Sequence, residues 1–137
     1  MKRIFLDTNI VLDFLIREEY RPQIRELISR SEDYELYISY LTVANAAYIM
    51  RKYSKTELKT NLELILQLFD IIPNDKKQLE KAIQADSPDF EDMLQYQAAK
   101  SMRCEAILTR NAKDFPFSEI PVMDVSTFLM TIKSYTG

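Results

Sequence analysis

Ile4-Phe5-Leu6-Asp7-Thr8-Asn9-Ile10-Val11-Leu12-Asp13-Phe14-Leu15 holds two apolar runs separated by a polar triplet. The first run, Ile4 to Leu6, is continuous and stops abruptly at Asp7, and the second resumes at Ile10 with helical spacing. An uninterrupted apolar stretch feeding directly into a helix is the pattern of a central parallel strand, buried on both faces. Asp7 then falls at the carboxyl end of that strand, where open α/β sheets place their ligands. A carboxylate there is costly to bury unless a cation or hydrogen bonds stabilise it. Thr8 or Asn9 can cap the following helix. Capping accounts for Asn9 but leaves the position of Asp7 unexplained.

Beyond this stretch, strand and helix patterns alternate. Pro22 fits a first helical turn, and Ile24, Leu27 and Ile28 carry the helix to about Ser31. Tyr34 to Tyr40 reads as a strand. A helix follows from Leu41, with Leu41, Ala44, Tyr48 and Met50 near one face and Asn45 one turn in. Ser54 and Glu57 predict a capping box ahead of the amphipathic helix marked by Leu58, Leu62, Ile65 and Phe69. Phe69 to Ile72 is a short strand closed by Pro73. Asp75 with Gln78 caps a helix whose apolar positions are Leu79, Ala82 and Ile83. Ser87-Pro88-Asp89 opens a helix running to about Met102. Ala106 to Thr109 is a strand followed by the polar loop Arg110 to Asp114, Pro121 to Met123 is a last strand, and Ser126 caps a terminal helix. With no linker or repeat, residues 1–137 form one domain: a parallel sheet covered on both faces by helices.

Composition removes many chemistries. The 137 residues contain no histidine, which excludes Ser-His-Asp and Cys-His catalysis, His-ligated zinc and an imidazole base. The single cysteine, Cys104, excludes an intrachain disulfide and reads as a small, partly buried apolar residue. The single glycine is Gly137, so no glycine-rich loop can cradle phosphates. Asp7 breaks the first apolar run too early for a signal peptide. The longest charge-free stretch, Leu36 to Met50, is too short to span a bilayer. These features predict a soluble, cytoplasmic protein without a membrane role. What remains open is carboxylate chemistry, with or without a hard metal.

The acidic residues fall at element ends. Asp7, the segment Thr109 to Asp114, and Asp124 follow strands, while Asp89-Phe90-Glu91-Asp92 begins a helix. Asp89 and Asp92, three apart, face one way on the first turn. Taken alone, they equally serve the helix dipole. Asp7, Asp92 and Asp114 can converge on one crevice, where clustered carboxylates persist only with protons or a divalent cation. Ligation by oxygen alone suits Mg²⁺ or Mn²⁺, and such sites commonly serve phosphoryl chemistry. Asp13 reads as a solvated or Arg-paired carboxylate instead of a ligand, and the tyrosines as packing residues.

Leu6-Asp7-Thr8-Asn9, Asp89-Phe90-Glu91-Asp92 and Thr109-Arg110-Asn111-Ala112-Lys113-Asp114-Phe115, in this order along essentially the whole chain, resemble the PIN-domain ribonucleases, in particular the VapC-like toxin branch. The resemblance implies a Rossmann-like α/β/α sandwich with a central parallel sheet of about five strands. It also implies a Mg²⁺- or Mn²⁺-dependent endoribonuclease acting on single-stranded RNA, the toxin of a toxin–antitoxin pair. Asp7, Asp92 and Asp114 match the catalytic and metal-holding acids, with Asp89 a further metal position. Asn9, Asn45, Thr109 and Asn111 match accessory polar positions, Asn9 orienting the first carboxylate. Implied partners are RNA, a cognate antitoxin that points an Arg or Lys at the carboxylates, and a second copy packing around Leu58 to Phe69. There is one departure: many members carry Glu where this chain has Asn45, which brings the two-metal version into question.

The formal charge of −3 is unusual for a nucleic-acid binder. Setting aside Asp7, Asp89, Asp92 and Asp114 leaves 17 acidic against 18 basic residues. Among these, Arg51, Lys52, Lys55, Lys59, Lys100, Arg103, Arg110 and Lys113 are available to phosphates. Two rivals differ in class. A response-regulator receiver would need Asp closing its middle strand and Lys closing its last, where this chain has Ile72-Pro73 and Met123-Asp124. A metal-less interaction module that keeps the fold without catalysis draws its support from Asn45.

Overall fold

The computed structural model describes residues 2–136. The apolar run after Met1 forms strand β1 (Lys2–Leu6), and helix α1 (Thr8–Leu15) begins two residues beyond it. Strands β2 (Tyr34–Ser39), β3 (Asp70–Ile72), β4 (Ala106–Leu108) and β5 (Val122–Met123) complete a five-stranded sheet in the order β3-β2-β1-β4-β5. Every pairing is parallel. The order runs outward in both directions from β1, so the chain changes direction between β1 and β4. That switch point is where a doubly wound sheet opens a crevice at its carboxyl edge.

Alternation along the strands fills two cores. Ile4, Leu6, Leu36, Ile38, Ala106 and Leu108 face one layer, packed against α1, α2 (Arg21–Ser29), α3 (Tyr40–Met50), α4 (Leu58–Leu68) and α7 (Val125–Thr136). Phe5, Tyr37 and Ile107 face the other, packed against α5 (Lys76–Ala85) and α6 (Phe90–Ser101). Phe5, Leu6, Ile38, Ile107 and Leu108 are fully buried, as the unbroken apolar runs of a two-sided sheet require. Cys104 belongs to the second core, and burial pushes its thiol up to about 12. Among the described residues no helix is long and apolar enough to cross a membrane.

Several local expectations are corrected. The Ser54–Glu57 capping box does not form, because the chain only bends over residues 55–57 and α4 starts afterwards. Ser54 pairs instead with the Thr56 hydroxyl at 3.0 Å. In α3 the buried positions are Thr42, Ala46 and Met50, with Ala44 and Tyr48 facing out, because Thr42 is committed to a buried polar network. In α5, Gln78 and Ala82 are buried while Leu79 and Ile83 are exposed. Gln78 takes the inner position because its amide donates to Pro73 O at 3.1 Å and Ser101 Oγ at 3.3 Å. Asp75 caps that helix as expected, its Oδ1 2.8 Å from Gln78 N. Helix α7 is capped by Asp124, whose Oδ1 accepts from Thr127 N at 2.7 Å, and not by Ser126. Tyr40, Tyr48 and Tyr53 are exposed, so packing accounts for only part of the tyrosines.

Candidate functional site

The last residue of β1 delivers Asp7 to the switch point between β1 and β4, and the backbone holds it there through Asp7 N donating to Leu108 O at 2.9 Å. Neither Thr8 nor Asn9 caps α1. Asp7 itself does, its Oδ1 accepting from Thr8 N at 2.8 Å. Its other oxygen, Oδ2, accepts from Thr109 Oγ1 at 2.9 Å and from Asn9 Nδ2 at 3.4 Å. Thr109 is fully buried just past β4, and its hydroxyl also accepts from Asn9 Nδ2 and Asn111 N, each at 3.2 Å. Asn9 Oδ1 accepts from Arg110 N at 3.3 Å. The loop after β4 is therefore stitched to the start of α1 by one carboxylate, one hydroxyl and one amide.

The second acidic group comes from α6. Asp89 is its N-cap, with Oδ1 3.0 Å from Asp92 N, so capping and clustering are satisfied by the same residue. Asp114 ends a single 3-10 turn, Ala112–Asp114, and lies exposed at the rim. Asn111 reaches the cluster through its backbone. Burial, only partly offset by the Thr109 and Thr8 hydrogen bonds, raises the Asp7 pKa, and the charges of Asp114 and Asp89 add to the rise. Asp92 is pushed up to about 8 by burial first, then by its hydrogen bond and charge repulsion with Asp89 and the charges of Asp7 and Asp114. The charges of Asp89, Asp7 and Asp114 thus reach Asp92, and those of Asp114 and Asp89 reach Asp7.

Two residues of this neighbourhood, Glu91 and Gln95, were given no role by the sequence alone. Asn45 Nδ2 donates to Glu91 Oε1 at 2.7 Å, tying α3 to the first turn of α6. Gln95, fully buried one turn beyond Asp92, accepts from Ser39 Oγ at 2.5 Å and donates to Thr42 Oγ1 at 2.7 Å and Thr8 Oγ1 at 3.3 Å. One amide therefore links the three elements that carry Asp7, Asn45 and Asp92. A glutamine set among Met93, Tyr96, Ala98 and Ala99 was the available signal, since a polar side chain on an apolar face requires partners. Asp13 is fully buried and Arg-paired, held by Arg110 at 2.7 Å and Arg17 at 3.1 Å, which anchors the same loop from below.

Among the described residues no group of three acidic side chains is arranged to hold a metal ion as it stands. No Lys or Arg forms an ion pair with Asp7, Asp89, Glu91, Asp92 or Asp114 among the described residues. Oxygen-only donors, a buried first carboxylate and pKa values raised by burial first and by like charges second fit a hard divalent cation, which would offset both.

A PIN domain family model matches residues 3–113. The chain is 28% identical over 137 residues to Ribonuclease VapC1 of Aquifex aeolicus, covering 93% of each chain. Its fold matches VapBC2 of Rickettsia felis bound to a promoter DNA fragment, with a TM-score of 0.72 at 16% identity, over 89% of this chain and 98% of that one. It also matches VapBC-1 of nontypeable Haemophilus influenzae, with a TM-score of 0.69 at 18% identity, over 90% and 98%.

The raised carboxylates make metal-free stability depend on pH. The Asp7 pKa is raised above its ordinary 3.8 and that of Asp92 is pushed up to about 8, burial leading in both, so above pH 3.8 the folded state retains protons that the unfolded chain releases. The contribution of Asp92 is complete below 3.8 and is lost as pH rises towards about 8, and that of Asp7 falls in the same direction. Asp124, lowered by its Thr127 hydrogen bonds, acts only below this window. The melting temperature in EDTA should therefore fall between roughly pH 5 and pH 8, and Asp92→Asn should flatten the fall. A wild-type melting temperature that rises across the window contradicts the repulsion.

Proposed function

The chain belongs to the PIN domain family, and on that premise we propose that it is a metal-dependent endoribonuclease hydrolysing single-stranded RNA, the toxin of a toxin–antitoxin pair, acting as one domain over residues 1–137. The observation that carries this proposal is the buried Asp7 at the switch point of the sheet, within reach of the charges of Asp89 and Asp114 and itself acting on Asp92, with no ion pair to a cationic side chain among the described residues. The ribonuclease relative from Aquifex aeolicus, similar along 93% of its length, supports the activity.

Asp7, Asp92 and Asp114 would hold Mg²⁺ or Mn²⁺, with Asp89 at the edge, and the ion would supply a nucleophilic water at neutral pH and a counter-charge for the phosphate. The protein's own contribution is position. Thr109 and Asn9 fix the orientation of Asp7 by donating to Oδ2, while Oδ1 accepts only from Thr8 N among the described residues. Gln95 fixes α6 against α1 and α3, so Asp92 cannot drift from Asp7 without breaking a buried network. Asp114, exposed at the rim, is free to orient a water or accept its proton. With no histidine in the chain, carboxylates and water are the groups that can move protons. Water attacking phosphorus with departure of the ribose 3′ oxygen leaves a 5′-phosphate and a 3′-hydroxyl. Arg51 and Lys52 lie 4.8 and 4.6 Å from the exposed Tyr48 ring, on the helix that carries Asn45, and offer a stacking face with flanking cations to a single strand.

The structure also supports an antitoxin partner and a second copy. Unpaired carboxylates invite an Arg or Lys from an antitoxin, and the Rickettsia felis and Haemophilus influenzae neighbours are VapBC assemblies. Tyr40, Val43, Ala47, Leu62, Leu66 and Ile71 line an apolar hollow on the expected homodimer face, with Leu66 65% exposed.

Two outcomes are expected. Asp92→Asn should cut RNA turnover by orders of magnitude with the fold retained, EDTA should abolish cleavage, Mn²⁺ should restore it, and the cognate antitoxin should suppress it. Ends carrying 2′,3′-cyclic phosphate, or cleavage that survives both EDTA and the substitution, overturn the mechanism. Light scattering should give a dimer that Leu66→Asp converts to monomer; a wild-type monomer at high concentration disposes of the dimer.

A further inference from the structure

We propose that Glu91 is a further metal-holding residue of this site, presented to the crevice by Asn45 as its positioning residue. The role presupposes the nuclease proposed above and adds to it a carboxylate that the sequence motifs left unassigned. Glu91 sits on the first turn of α6, between Asp89 and Asp92. A first-turn glutamate ordinarily points into solvent and interacts with the helix dipole. Here the side chain is exposed and yet tethered across helices, its Oε1 accepting from Asn45 Nδ2 at 2.7 Å. The helix gains little from a third acid, since Asp89 already caps it and Asp92 already occupies the same turn. Repulsion should turn a third acid away from its neighbours.

The tether holds it among them. Burial first, then the charges of Asp89 and Asp7, raise the Glu91 pKa against a lowering by the Asn45 amide, so the carboxyl lies within reach of both charges. Asn45 contributes no charge of its own. It binds one oxygen of Glu91 and leaves the other free, which is how an amide fixes the direction of a metal-holding carboxylate. The acidic function at this corner of the crevice then resides on α6, and α3 supplies its orientation.

Glu91→Gln separates the charge from the tether, because the glutamine oxygen can still accept from Asn45. The probe is Mn²⁺, titrated calorimetrically into the full-length protein. Asp92→Asn serves as the reference for loss of the core site, and melting temperature in EDTA serves as the folding control. Glu91→Gln should weaken Mn²⁺ about 10-fold or more, with a metal-free melting temperature equal to or above wild type. Moving the charge across the same hydrogen bond, in the double variant Glu91→Gln with Asn45→Glu, should recover most of the affinity. Asn45→Ala should weaken Mn²⁺ less than Glu91→Gln, by loss of orientation alone. Wild-type affinity in Glu91→Gln beside lost affinity in Asp92→Asn overturns the role of Glu91 and leaves the nuclease site standing. Failure of the wild-type protein to bind Mn²⁺ overturns both.

Discussion

One hydrogen bond organises the working end of this molecule: Thr109 Oγ1 donating to Asp7 Oδ2 across the seam between β1 and β4. It joins the two strands at which the sheet reverses its order, and both residues are buried. A carboxylate in that position is stable only if its lone pairs are occupied. The fold occupies them with a helix N-terminus, a hydroxyl and an amide, each from a residue adjacent to the seam. These bonds fix Asp7 in direction but do not neutralise it, and among the described residues Asp92, Asp89 and Asp114, whose charges act on this corner, form no ion pair with a basic side chain. Repulsion among them is held in place by two devices of a different kind: the Gln95 amide bridging α1, α3 and α6, and the Asp13 carboxylate gripping Arg110 below the loop. The site is a strained electrostatic arrangement on a rigid polar frame, which is the condition under which a bound cation contributes stability as well as chemistry.

The strands at the centre of the sheet were legible because their signal is dense. Ile4-Phe5-Leu6 and Ala106-Ile107-Leu108 must be apolar on both faces, and no helix of that length could use them so. The positions of Asp7, Asp89 and Asp92 followed, since strand ends and helix caps are local features. The four-aspartate neighbourhood itself, and the parallel order that creates it, needed the whole pattern of alternation.

What was not legible depended on contacts between elements. Glu91 lies two positions from Asp89, so helical spacing alone sends it to another face; the hydrogen bond from Asn45 on α3 ties it to a neighbouring helix while it stays exposed. Thr42 and Gln78 are buried although polar, because Gln95 and Ser101 meet them there, and this shifts the phase of α3 and α5 away from the apolar stripe. The missing Ser54–Glu57 box shows the converse: a good local motif fails when the helix begins a turn later. With its single glycine at the terminus, the chain also places Asp86 (φ 49°) and Arg103 (φ 55°) in left-handed conformations that no glycine signal announced.

The central claim is that the carboxylates converge to hold a divalent cation. Crystals of the full-length protein grown with Mn²⁺ and measured by anomalous diffraction test it most directly. The account predicts an anomalous peak within bonding distance of both Asp7 and Asp92, with Thr109 still donating to Asp7. A well-ordered crevice without such a peak at saturating Mn²⁺, or a peak bound elsewhere on the molecule alone, would contradict it.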